Sequence, residues 1–111
     1  MTIAAFRRLT ATAMLAAVTL TAPAHAGAGA QAGDPAYGEY LSSACVTCHR
    51  RDGSDKGIPS IVGWPADQFI AVLKAYKAKM RDNQVMQTVA GSLSEEEMAA
   101  LAAYYSAIKR N

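Results

Sequence analysis

Cys45-Val46-Thr47-Cys48-His49 is the stretch whose reading decides the fold. Two thiols stand three residues apart, and an imidazole follows the second directly. The 111-residue chain has two cysteines, both here, and its other histidine is His25. A structural zinc site needs four ligands, and this chain offers two Cys and one His with no fourth soft donor. An iron–sulfur cluster usually needs four cysteines. A thioredoxin-like dithiol needs a βαβ context, and no such pattern flanks the motif. A plain disulfide would leave His49 without a role.

The reading that uses all three side chains is covalent haem attachment. Each thiol adds to one vinyl group, and the next residue lies under the iron. The expectation is one haem c, joined through Cys45 and Cys48, with His49 as an axial ligand of the iron. Methionine is the usual second ligand when no second histidine is present. Outside residues 1–26 the candidates are Met80, Met86 and Met98. Met98 suits packing at the start of the last helix, and Met80 falls on the apolar stripe of the second. Met86 sits in an irregular apolar step after a polar loop, so position favours it.

Residues 1–26 read as a secretory signal peptide. Arg7 and Arg8 precede an uncharged run from Leu9 to Leu20, and Ala24-His25-Ala26 is a cleavage-type ending. The run is shorter than the about 20 apolar residues of a membrane span. The Arg pair is a poor match to the twin-arginine route, because Leu9-Thr10 follows it. The expected location is the periplasm, with no membrane-spanning segment after cleavage. His25 leaves with the leader, which excludes two-histidine ligation. Residues 27–33 read as a flexible lead-in and 34–111 as one domain. Of the 11 Lys and Arg, two lie in the leader, so the remaining nine balance nine Asp and Glu. A neutral chain lacks the basic field that nucleic acid requires. A domain of this size buries only about 60% of its unfolded surface, so a cofactor is a plausible staple.

Helical signals follow in order. Asp34-Pro35 is a good N-cap and first position, and Tyr37, Tyr40, Leu41 and Ala44 make one face running into Cys45. A second helix is predicted over about 65–80, with Phe69, Leu73, Tyr76 and Met80 as its stripe. Arg81 to Gln84 reads as loop. The last helix starts at a capping box, Ser94 and Glu97, inside a Leu93–Met98 staple. The loop from Ile58 to Gly63 contains Pro59 and Gly63, which argue against a strand. The fold class is all-α, with three main helices and loops around one haem.

Cys45 to His49, Pro59 to Gly63, Arg81 to Met86, and Leu93 to Tyr105 resemble the class I c-type cytochromes, most nearly the cytochrome c4 and c553 group and the cytochrome subunit of flavocytochrome c sulfide dehydrogenase. The resemblance covers nearly all of residues 34–109. It implies that His49 and Met86 are the axial ligands. It implies that the Pro59 carbonyl accepts a hydrogen bond from the other ring nitrogen of His49. It also implies that the first and last helices cross at Gly38, with Leu101 and Tyr104 opposite. The chain departs from the group at Trp64, where glutamine is common, and at Gln84, where proline is common.

The function expected is single-electron transfer between redox proteins, with no catalysis by this chain alone. One form is the haem subunit of a flavocytochrome c sulfide dehydrogenase, paired with a flavoprotein; the other is a free soluble shuttle. Lys74, Lys77, Lys79 and Arg81 form a basic run, and such runs are more often solvated helix faces than docking patches. Near the haem motif Arg50, Arg51 and Lys56 stand against Asp52 and Asp55, a weak field that predicts docking mainly by apolar contact.

Overall fold

The computed structural model describes residues 33–110. The predicted leader and most of the lead-in lie outside the described residues. Four helices and one short 3-10 turn make up the fold, and no strand occurs among the described residues. This is the all-α architecture expected, with one helix more than the three predicted.

Helix α1 spans Pro35–Leu41. The Asp34 carboxylate accepts the backbone N–H of Ala36 at 2.9 Å, which meets one of the unpaired donors of the first turn. A 3-10 turn over Ser42–Ala44 then tightens the chain into Cys45. Helix α2 spans Ala66–Lys77 and stops three residues short of the expected end. The Met80 N–H donates to the Ala75 carbonyl at 2.8 Å and the Lys79 N–H to Tyr76 at 2.9 Å. That pair of bonds is a Schellman stop. It places Lys79 in the left-handed region, at φ 59°. Met80 therefore leaves the apolar stripe and stands 82% exposed, so the packing role expected for it is wrong.

Helix α3, Gln84–Ser92, occupies the segment read as loop and irregular chain. Its start is set by Asn83, whose side-chain oxygen accepts the Met86 N–H at 3.0 Å. Val85, Met86, Val89 and Ala90 then recur at helical spacing, with Ala90 fully buried. Gln84 is the first helical residue, the position that suits proline best; the Asn83 cap starts the helix without one. Helix α4, Glu95–Ala107, begins at the predicted capping box, with both reciprocal Ser94–Glu97 bonds formed.

Helices α1 and α4 pack closely because Gly38 has no side chain. A Cβ there would lie 2.0 Å from the Ala100 carbonyl oxygen and 2.8 Å from the Tyr104 Cβ. The residues opposite Gly38 are thus Ala100 and Tyr104; Leu101 turns instead to the core. Gly33 makes a similar approach, its would-be Cβ 2.0 Å from the Ala99 carbonyl oxygen. The buried cluster joins Val62, Phe69, Leu73, Ala90, Met98, Leu101, Ala102 and Tyr105. Phe69 and Tyr105 stack at 5.5 Å between centroids, which ties α2 to α4. The apolar loop before α2 is anchored to the same helix: the Gly63 N–H donates to the Tyr105 carbonyl at 2.9 Å.

Candidate functional site

The Cys45–His49 stretch is a tight turn continuing the 3-10 segment. The His49 N–H donates to the Cys45 carbonyl at 2.8 Å, and the Cys48 N–H donates to the same oxygen at 3.1 Å. These bonds bring both thiols and the imidazole to one end of α1. Both cysteines are free; Cys45 is half-buried and Cys48 exposed. Burial raises the Cys45 pKa above its ordinary value. The turn is held from behind by Arg51. Its guanidinium donates to the buried Ser42 hydroxyl at 3.2 Å and lies 5.7 Å above the Tyr104 ring. Ser42 in turn donates to the Glu39 carbonyl at 2.6 Å.

His49 Nδ1 lies 2.7 Å from the Pro59 carbonyl oxygen. A carbonyl can only accept, so Nδ1 is the donor, and Nε2 is the nitrogen left to bind a metal. An imidazole fixed this way by a backbone carbonyl is oriented as iron and zinc ligands commonly are.

Cys45, Cys48 and His49 open into a cleft of about 380 Å³. Met86, at the third position of α3, lines the same cleft, and so do Leu73 from α2 and Leu101 from α4. Of the three methionines weighed, the cleft takes Met86; Met98 is fully buried in the core and Met80 is exposed. Trp64 also walls the cleft while packing against the core. Sequence reasoning missed several lining residues, among them Val72, Val89 and Asn83, and placed Arg81 in a polar loop. The available signal for Asn83 was its place three residues before Met86, the spacing of an N-cap to the backbone donor it accepts.

The cleft suits a haem in donor set and in polarity. Two free thiols, an imidazole with Nε2 left to bind a metal and a thioether share one mostly apolar hollow. No group of three or more His, Cys, Asp or Glu that could hold a bare metal ion occurs among the described residues. Beneath Cys45 the Tyr105 hydroxyl is buried without a hydrogen-bond partner, and burial beside Cys45 raises its pKa, so it stays neutral.

Charge around the site is weaker than the residue list implies. Arg50 pairs with Asp52 at 3.2 Å, and the exposed Arg51 is tied to the Ser42 hydroxyl. Bonds from Ser54 and then Arg50 hold the Asp52 carboxyl well below the usual range. In the basic run, Lys74 pairs with Glu95 at 2.8 Å, Lys77 donates to the Leu93 carbonyl, and Arg81 lies 5.1 Å over the Tyr76 ring. Three of its four cations thus serve the fold itself.

A sequence model of the family described as "Cytochrome C oxidase, cbb3-type, subunit III" matches residues 28–104. Cytochrome c-554(548) of Halomonas halodenitrificans is 38% identical over 80 residues, covering 68% of this chain and 96% of that protein. A thiosulfate dehydrogenase electron acceptor of Stutzerimonas stutzeri is 32% identical over 97 residues, and one of Thiomonas intermedia 31% over 106. The chain spans 45% of the length of each of these two acceptors. With the matched domain covering most of the chain and the motif facing an apolar cleft, the chain belongs to the cytochrome c family, as an electron-transfer protein whose cofactor is covalently bound haem c.

Proposed function

We propose that this protein is an exported, periplasmic monohaem cytochrome that passes single electrons between redox proteins, with Cys45 and Cys48 bonded to the haem and His49 and Met86 as the axial ligands of its iron. The observation that carries the reading is the His49 Nδ1 bond to Pro59 in a cleft that also takes Met86. When bound, the haem supplies a one-electron iron couple. The chain supplies the rest. The two thioethers hold the group, Pro59 orients the imidazole, and the apolar walls exclude water. A methionine ligand raises the reduction potential. In this reading residues 1–26 are a cleaved leader. No helix among the described residues is long and apolar enough to cross a membrane.

The electron donor we favour is a dehydrogenase acting on a reduced sulfur compound. Two relatives named thiosulfate dehydrogenase electron acceptor support that donor class. The match to cytochrome c-554(548), over 96% of that protein, supports a cytochrome of one haem domain. A permanent flavoprotein partner, as in flavocytochrome c sulfide dehydrogenase, is the second reading. It is favoured by the apolar residues at the cleft, Ile58 at 41% and Val85 at 65% exposure, and by the local pairing of charge.

The attachment test is extraction of the native protein with acidified acetone: the haem stays with the chain, and its loss would overturn the covalent assignment. The ligand test is Met86→Ala, which abolishes the weak far-red band of a sulfur-ligated ferric haem and lowers the potential. Persistence of the band would remove Met86 from the ligand set. Co-purification with a flavin-containing chain would replace the shuttle reading with the second.

A further inference from the structure

We infer that Asn83 is a positioning residue for the distal ligand: its side chain clamps the first turn of α3 so that Met86 is held ready for the iron. The inference rests on the reading of Met86 as ligand. Met86 is the third residue of α3, and its backbone N–H is the donor that the Asn83 side-chain oxygen accepts, at 3.0 Å. The Asn83 carbonyl accepts the Gln87 N–H at 2.9 Å. The Gln87 side-chain amide donates back to the Arg81 carbonyl at 2.8 Å, and the Arg81 guanidinium lies 5.1 Å over the Tyr76 ring of α2. The turn carrying Met86 is therefore braced at both ends and fastened to the neighbouring helix.

The brace matters because α3 is short. A nine-residue helix is marginal by itself, so its first turn depends on the cap and on packing. A thioether is also a weak, neutral ligand. With haem bound, the fraction of molecules with the Met86 sulfur in place for the iron would depend on how well this turn stays formed. Asn83 itself has an ordinary extended backbone, φ −172° and ψ 109°, which any residue adopts. Substitution there removes the side-chain bond without straining the chain.

The test is imidazole binding to the ferric holoprotein, which reads the population with Met86 off the iron. Loss of an N-cap predicts a roughly five- to tenfold higher apparent affinity in Asn83→Ala, with a far-red band that fades at lower temperature. Asn83→Ser, which keeps a capping oxygen, restores the wild-type affinity, and the weaker cap in Asn83→Thr falls between; that variant carries the test if Asn83→Ala yields no holoprotein. Ser94→Ala removes the cap of α4 and destabilises the protein, yet leaves imidazole affinity unchanged. Wild-type affinity in Asn83→Ala, or an equal rise in Ser94→Ala, overturns the inference. Met86→Ala separates the two layers: if it keeps the band, the ligand reading itself has failed; if it loses the band while Asn83→Ala behaves as wild type, only the positioning role has.

Discussion

Replacing Gly38 by alanine isolates the contact that supports the haem-binding turn. The new methyl carbon would lie 2.0 Å from the Ala100 carbonyl oxygen. A van der Waals contact needs roughly 3.5 Å, so the helices must part by about 1.5 Å. The obstacle is backbone of α4, with the Tyr104 Cβ behind it at 2.8 Å, so no flexible side chain can yield. Overpacking of this kind costs typically 1–3 kcal/mol, and separating two packed helices lies at the upper end. Against it, alanine gains about 1 kcal/mol over glycine in a helix interior. The net loss for Gly38→Ala is therefore about 2 kcal/mol. Gly91 is the internal control: it lies in α3 with open space where a Cβ would go, so Gly91→Ala keeps the gain of up to about 1 kcal/mol. Guanidinium unfolding of the ferric holoprotein, followed by helix circular dichroism, measures both. A Gly38→Ala midpoint at or above that of the wild type, with an unchanged slope, would refute the claim that close backbone approach builds this crossing.

Two further outcomes follow from the helix ends. Lys79 occupies a left-handed position that costs a non-glycine residue of order 1 kcal/mol, so Lys79→Gly raises the unfolding free energy by about that amount, measured in the same assay; an unchanged midpoint would deny the strain. The second concerns acid. Bonds from Ser94 depress the Glu97 pKa, and the Lys74 pair depresses that of Glu95. A depressed carboxyl contributes stability that is present above its unfolded value, about pH 4, and is lost as pH falls through the lower folded value. Stability should hold from neutrality to about pH 5 and decline below it, and Glu97→Gln should flatten that decline; a decline identical in both proteins would exclude the capping box from acid unfolding.

Some of this protein could be read from residues standing alone. Cys45, Cys48 and His49 declare their chemistry because their spacing is local: within five residues the chain cannot keep them apart. Asp34-Pro35 and the Ser94–Glu97 box mark helix starts for the same reason, since each cap bonds a donor two or three residues ahead. The start of α3 was written in the same code at Asn83, but a polar run hid it. The end of α2 was not legible, because a stop at Lys79 takes a left-handed lysine where glycine is usual. Position in the sequence already favoured Met86, and the tertiary structure supplies the reason that it meets the cleft. Met80, Met86 and Met98 have similar side chains, and their fates separate through helix ends and packing: one is thrown to solvent by the Schellman stop, one is buried in the core, and one is presented by the first turn of α3. The Pro59 partner of His49 is a contact across ten residues of loop, and the pairing of Gly38 with Ala100 joins the two ends of the domain. Such contacts depend on the path of the whole chain, which local spacing does not encode.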